Sequence, residues 1–356
     1  MSYSKVPLSD VVTLQRGMDL PAPQRRPGDF PVVSAGGIVG SHNEGPVRGP
    51  GVAIGRATNL GRPTWVEGDF WPLNTTLYVK DFKGNDPGFV YRLFQSIDLT
   101  GFDSGSVQAM LNRNYISQVP VPLPPLPTQR AIAEVLGALD DKIAANQLVA
   151  DSADTLATAL VAREESEPTQ LARVAEVVMG SSPRGESMNE VGEGIEFFQG
   201  VRDFGIRVPV RRVSTTEPTR VAASGDVLLS VRAPVGRVNR ADRTMCVGRG
   251  LAAVRSEYPN VLFHVLRNAP MWESFNGEGT VFGSISGRDL RGVVLAWPSQ
   301  SRLAILEQSL KPIEARIDQA VAESAHLAEL RDTLLPHLMS GRLTVREAEK
   351  QVEEVL

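Results

Sequence analysis

Residues 124–163, PPLPTQRAIAEVLGALDDKIAANQLVADSADTLATALVAR, constrain the fold more than any other stretch. A proline-rich stop runs into two rows of apolar or small residues at a seven-residue spacing. One row is Ile132, Leu139, Asn146, Ala153 and Leu160; the other is Leu136, Ile143, Ala150 and Ala157. Such a stripe belongs to a long helix that must bury one face against another helix. A helix over 128–163 is ~50 Å long at ~1.5 Å per residue, too long to satisfy its own seam. Residues 299–338 supply the partner. There Leu306, Ile313, Ala320, Leu327 and Leu334 make one row, and Leu310, Ile317, Ser324, Arg331 and Leu338 the other. Pro312 is expected to kink or restart this second helix, because it lacks a backbone donor and its ring clashes with the preceding turn. Pro336 and Gly341 are expected to stop it.

The rest reads as two mixed, strand-rich globular segments. In the first, strands are expected at 51–54, 75–79 and 119–123, with a short helix at 87–96. In the second, strands are expected at 226–231, 250–254 and 293–296, with a short helix at 260–268. Turn signals such as Gly49-Pro50-Gly51 separate them. The expected boundaries are 1–127 for the first globular domain, 128–167 for the central helix and its linker, 168–298 for the second domain, 299–343 for the distal helix, and 344–356 for a tail.

The two halves repeat. Leu8, Val11, Leu14 and Gly17 match Leu171, Val174, Val177 and Gly180 at one offset. Val119, Pro124, Leu136 and Ile143 match Val293, Pro298, Leu310 and Ile317 at a second. Arg56-Ala57 resembles Arg232-Ala233, and Gly61-Arg62 resembles Gly236-Arg237, with spacing that differs by one. The fold class expected is therefore α+β: two strand-rich domains and two long helices that pair antiparallel as a coiled-coil spacer, with a pseudo-two-fold internal duplication. That is the geometry of a device that measures the distance between two sites.

Net charge is −4, but its distribution is uneven. Residues 202–291 hold fourteen basic residues, all Arg, against eight acidic ones, whereas 130–167 hold three against eight. An Arg excess suits bidentate contact with phosphates and guanine edges. Lys is scarce along the whole chain, however, so a general preference for Arg produces the same excess. Cys246 is the only cysteine, which excludes a disulfide framework and a cysteine-based zinc site. No apolar run reaches the ~20 residues of a membrane helix, and the first residues lack a signal-peptide core, so the cytoplasm is the expected compartment.

Catalytic constellations are missing from the sequence. It has no Gly-Lys-Ser/Thr phosphate loop, no Asn/Asp-Pro-Pro-Tyr tetrad and no His-Glu-x-x-His. His42, His264, His326 and His337 are scattered and read as surface or satisfied structural residues. Residues 277–283 look like a phosphate loop but do not lead into a helix, so they read as a turn. Asp140 and Asp141 diverge by ~100° on a helix and cannot share one site. No cofactor, no metal site and no enzymatic activity are expected.

Several tracts together resemble the specificity (S) subunit of type I restriction–modification systems. They are PLPPLPTQRAIAEVLGALDDKI (122–143) and LLPHLMSGRLTV (334–345), supported by LNTTLYV (73–79), SGSVQAMLNR (104–113), DVLLSVRAPVG (226–236) and VGRGLAAVR (247–255). The resemblance implies two target recognition domains, each reading one half of a split double-stranded DNA sequence. It implies two helices that set the half-site separation and dock two methyltransferase subunits, with motor–nuclease subunits joining that core. The second helix departs from the pattern, reading PSQSRLA where the first has PPLPTQRA.

Reading base edges requires Arg, Asn, Gln, Ser or Thr on loops and strands. In the first half the candidates for DNA binding are Arg25, Arg26, Arg56, Asn59, Ser104, Ser106, Gln108 and Arg113. In the second they are Arg202, Arg207, Arg232, Arg237, Arg249, Ser284, Ser286 and Arg288. The alternatives are the recognition part of another restriction–methylation assembly, and a coiled-coil adaptor with no DNA role.

Overall fold

The computed structural model describes residues 3–102, 110–276 and 283–355. The chain forms two compact units: Met1–Ala144 with Ser324–Leu356, and Ala145–Glu323. In the first unit the order is β1 (Ser4–Pro7), α1 (Leu8–Val11), β2 (Thr13–Arg16), β3 (Phe30–Ser34), β4 (Gly37–His42), β5 (Gly51–Gly55), β6 (Pro63–Val66), β7 (Trp71–Pro72), β8 (Thr76–Asp81), α2 (Pro87–Ser96), α3 (Arg113–Ile116) and β9 (Pro120–Leu123). The long helix α4 (Leu126–Ala162) follows. The second unit carries β10 (Ser166–Gln170), α5 (Leu171–Val174), β11 (Glu176–Met179), β12 (Met188–Asn189), β13 (Ile195–Phe198), β14 (Val213–Thr215), β15 (Val221–Ala222), β16 (Val227–Ser230), β17 (Val238–Arg240), β18 (Met245–Val247), β19 (Leu251–Arg255), α6 (Pro259–Arg267), α7 (Gly287–Gly292) and β20 (Val294–Pro298). The second long helix, α8 (Gln300–Ser340), and a short α9 (Val345–Glu353) close the chain.

The expected duplication is present in the hydrogen bonding. Each unit has a four-stranded antiparallel sheet, ordered β2-β8-β5-β6 in the first and β11-β19-β16-β17 in the second. The registers coincide as well. Leu14 faces Val79 and Ala53 faces Tyr78, as Val177 faces Val254 and Leu228 faces Ala253. β1 pairs with β9, and β10 with β20. Gly17 and Gly180 hold the same crossing: a Cβ added to either would come within 2.1 Å of a carbonyl oxygen, of Leu73 and Gly248 respectively.

The central strand of each sheet is a short apolar run bounded by turns, as a strand buried on both faces should be. Val52 and Ile54 pack toward α2, while Ala53 faces Val33, Val66 and Phe70. The second unit repeats this with Val227 and Leu229 on one side and Leu228 on the other. The additional sheets differ, with three strands in the first unit (β4-β3-β7) and five in the second (β12-β14-β13-β18-β15).

The long helices contribute to both cores. In the first unit Ile132, Leu136 and Leu139 of α4 are buried with Leu327, Leu334 and Leu338 of α8, and Ile143 packs at the edge. In the second, Ala150 of α4 is buried with Ile317 and Ala320 of α8, Ala157 with Leu306 and Leu310, and Leu160 and Ile313 pack alongside. The early half of one helix thus meets the late half of the other, an antiparallel pairing.

α8 is one continuous helix of 41 residues, so it neither restarts at Pro312 nor stops at Pro336. A helix-interior proline costs ~3 kcal/mol. Leu310 and Ile317 flank the first proline and Leu334 and Leu338 the second, all buried. Each such side chain gains ~1.5–3 kcal/mol by staying in register, which outweighs the proline. The stop comes at Gly341, whose φ of +71° suits glycine. Arg342 and Leu343 then donate to His337 O. Residues 344–356, expected as a tail, instead begin a helix. Thr344 and Glu347 cap it reciprocally, and Ala348 and Val352 are buried. Among the described residues no helix is long and apolar enough to cross a membrane.

Candidate nucleic-acid interface

Of the first-half candidates, Ser104, Ser106 and Gln108 lie outside the described residues. Arg25 is half-buried and donates to Val39 O at 3.3 Å, and its buried Nε has no partner. Arg26 is exposed and its backbone N–H donates to His42 Nδ1 at 3.0 Å. Asn59 adopts a positive φ of 49°, and its amide donates to Ala35 O at 3.4 Å, so it shapes its own turn. Arg56 and Arg113 come together around a recess of about 440 Å³, with Gln15, Arg16 and Asn112 completing its polar lining. Burial, and then the nearby Arg16, lower the Arg56 pKa.

In the second half Arg207 is not a free reader. It is buried and ion-paired to Glu314, to Asp318 at 3.1 Å and to Asp154 at 3.4 Å. The guanidinium lies inside the contact between its own domain and the long helices, where water and DNA are excluded. Arg249 is exposed and donates from Nε to Ser182 Oγ at 3.3 Å; Ser182 in turn donates to Gln199 at 3.0 Å. Ser286 uses its hydroxyl to cap α7. Ser284 is exposed and backbone-bridged to Arg232. Arg202, Arg232, Arg237 and Arg288 are exposed, and no carboxylate among the described residues pairs with them.

The apparent Arg56/Arg232 repeat is not one structural position. Gly55 N donates to Arg62 O as Ser230 N does to Arg237 O, and Leu111 N donates to Arg56 O as Ile285 N does to Val231 O. Arg56 therefore corresponds to Val231, and Arg232 to Ala57. The glycine turn does coincide, with φ of +75° at Gly61 and +90° at Gly236.

A second group of charges was not legible as a site. Glu314, almost fully buried on α8, meets Arg207, Arg240 and His264. His264 Nε2 lies 2.6 Å from Glu314 Oε1, and its Nδ1 lies 3.3 Å from Thr158 Oγ1. A neutral ring satisfies both contacts, donating to the carboxylate and accepting from the hydroxyl. Burial, then Arg267 and Arg240, push the His264 pKa down to about 3. Arg240 Nη2 is 2.8 Å from Glu314 Oε2 yet misaligned for a hydrogen bond, so that contact is one of charge, while Nη1 donates to Asn260 Oδ1. Arg207, Arg240 and Arg267 surround the Phe263 ring, at 5.4, 4.1 and 5.4 Å. Arg267 also chelates Asp154 of α4, at 2.7 and 2.8 Å. In the first unit Asp140 takes a comparable place between Arg92 at 2.5 Å and Arg331 at 2.7 Å. Asp141 next to it is exposed. No group of side chains among the described residues could hold a metal ion.

The chain was then compared with known proteins. Residues 2–150 match the family model of the type I restriction modification DNA specificity domain. A putative type I restriction enzyme MjaX specificity subunit of Methanocaldococcus jannaschii is 28% identical over 266 residues, covering 67% of this chain and 63% of that protein. The chain thus spans just under two thirds of this relative's length. A putative type I restriction enzyme specificity subunit of Haemophilus influenzae is 31% identical over 75 residues, 21% of this chain and 20% of that one. The crystal structure of a type I restriction–modification system S subunit from M. genitalium has the same fold. It superposes with a TM-score of 0.70 at 14% identity, over 95% of this chain and 96% of the other. The resemblance to type I specificity subunits read from the sequence holds in both sequence and fold.

Proposed function

With residues 2–150 matched to a DNA specificity domain, we propose that this chain is the non-catalytic sequence-recognition subunit of a type I restriction–modification complex. Residues 1–127 and 168–298 are its two target recognition domains, and each reads one half of a split double-stranded target. Residues 128–167 and 299–343 are the spacer, which sets the half-site separation and docks two methyltransferase subunits, with motor–nuclease subunits joining them in the cytoplasm. The observation that carries this reading is the repetition of one sheet, in one register, beside paired helices. Two copies of one module suit two half-sites. A coiled-coil adaptor without DNA would have no use for the exposed Arg202, Arg232, Arg237 and Arg288, which have no carboxylate partner among the described residues.

Methylome sequencing of a host with and without this gene tests the proposal. A bipartite methylated motif that vanishes on deletion supports it, and an unchanged methylome sinks it. Inserting one heptad in the central helix is expected to lengthen the spacer and leave both half-sites intact; altered half-sites with an unaltered spacer would reverse the assigned roles. Arg232→Ala is expected to weaken specific binding by about 1–3 kcal/mol if it meets a base edge. Unchanged affinity at fixed salt in a gel-shift titration removes it from the readers.

A further inference from the structure

We infer that the recess lined by Gln15, Arg16, Arg56, Asn112 and Arg113 grips a backbone phosphate of DNA, and that the second recognition domain has no counterpart. This rests on the proposed function and deepens it. Three guanidinium groups line one opening of about 440 Å³, and none of the carboxylates among the described residues lines it. Among the described residues none of the three makes an ion pair. Among those residues their one side-chain hydrogen bond runs from Arg16 Nε to Asn74 O, at 3.4 Å. Like charges gathered this way repel, and a phosphate would neutralise them with charge-assisted hydrogen bonds. Burial first, and then the Arg16 charge, lower the Arg56 pKa.

The frame that gathers them is repeated in the second unit, but the charges are not. Arg16 ends β2 as Met179 ends β11. Arg56 O accepts from Leu111 N at 2.8 Å, as Val231 O accepts from Ile285 N at 3.0 Å. Asn112 caps α3, which opens on Arg113; Ser286 caps α7, which opens on Gly287. Arg16, Arg56 and Arg113 therefore correspond to Met179, Val231 and Gly287. In the second unit the space is closed, since a Cβ on Gly287 would lie 2.9 Å from Met179 Cγ and 3.2 Å from Arg291 Nη1. Had the arginines been needed to hold the frame, the second copy would need them too. It folds with Met179, Val231 and Gly287 at those positions, and the one guanidinium beside them, Arg291, is taken up by the carbonyls of Gly287 and Val177, so the charges of the first copy are free to serve a ligand.

A phosphate contact carries no sequence information and is lost with a countable number of counterions. The test measures the binding of full-length protein to a mixed-sequence duplex by fluorescence anisotropy across a chloride series. Arg16→Ala and Arg56→Ala should each weaken binding equally on all duplexes and make the slope of log K against log salt shallower by about one. Arg56→Lys should retain most of the wild-type slope, and Arg346→Ala, on α9, should leave it unchanged. A wild-type slope in both alanine variants overturns the inference while leaving the proposed function intact. Failure of the wild-type protein to bind any duplex overturns both. A calorimetric titration with inorganic phosphate separates the sources: saturable binding lost in Arg56→Ala, with unchanged duplex slopes, would reassign the recess to a free anion.

Discussion

The two units fasten one topology to the same pair of helices by different chemistry. In the first, α2 sends a single buried guanidinium, Arg92, to Asp140, and Arg331 approaches the same carboxylate from α8. Gln129 of α4 adds a neutral clamp. It accepts from Asp86 N at 3.0 Å and donates to Asn85 and to Pro124 O, each at 2.9 Å. In the second, three arginines and a histidine converge on Glu314, Asp154 and Asp318, and Glu307 accepts the first backbone donors of α6 from Asn260 and Val261. Of the fourteen arginines in 202–291, those at 207, 212, 240, 243, 255 and 267 are ion-paired. A basic segment is therefore not the same thing as a basic surface. Much of the charge that suggests DNA contact in the second half holds the domain to its own helices, whereas the first half, nearly neutral in sequence, exposes a group of arginines with no ion pair among the described residues.

The two attachments should therefore fail differently. The largest effect is expected from Glu314→Ala, which leaves Arg207, Arg240 and His264 buried without their common partner. It should cost about 3–5 kcal/mol in urea denaturation. A cost near that of a surface pair would break the contrast. Next comes acid sensitivity. The unfolded imidazole of His264 takes up a proton below its ordinary value of 6.5, the folded one only near 3. Across that window the unfolded state binds more protons, so stability falls as pH drops, by about 2 kcal/mol between about pH 7 and pH 5. His264→Gln can donate to Glu314 and accept from Thr158 without titrating, and should remove that part of the loss. Equal acid sensitivity in the two proteins would show that the ring does not contribute. The smallest effect is expected from Arg331→Ala in the first unit. Asp140 keeps Arg92, so the cost should be about 0.2–1 kcal/mol and should shrink with added salt. A larger, salt-independent cost would make the first attachment as charge-dependent as the second.

The internal repeat was legible because it is written in glycine turns, apolar runs and helix seams. Gly17 and Gly180, or Leu136 and Leu310, must recur wherever the same backbone recurs. The candidate contacts were harder to read, since nothing in the chain order separates a guanidinium that faces water from one that faces a carboxylate. Arg207 reads like its exposed neighbours, yet two of its partners lie more than a hundred positions away on α8 and a third on α4. Arg16 is not among the candidates the sequence offers; its one sequence signal is an arginine standing where the repeated frame has Met179.

Taken alone, the sequence determined the duplicated α+β plan, the two long helices and the seam that joins them. Those features follow from hydrophobic period and from backbone conformations that few residues adopt, and both are local. Only the tertiary structure decided that Arg56 corresponds to Val231 and not to Arg232, that Pro312 and Pro336 stay inside a helix, and which arginines are struts and which have no carboxylate partner among the described residues. Each of those outcomes is a balance struck between distant parts of the chain. A backbone register, a buried seam on either side of a proline, or a carboxylate at the far end of another helix supplies the larger free energy, and no window of neighbouring residues contains it.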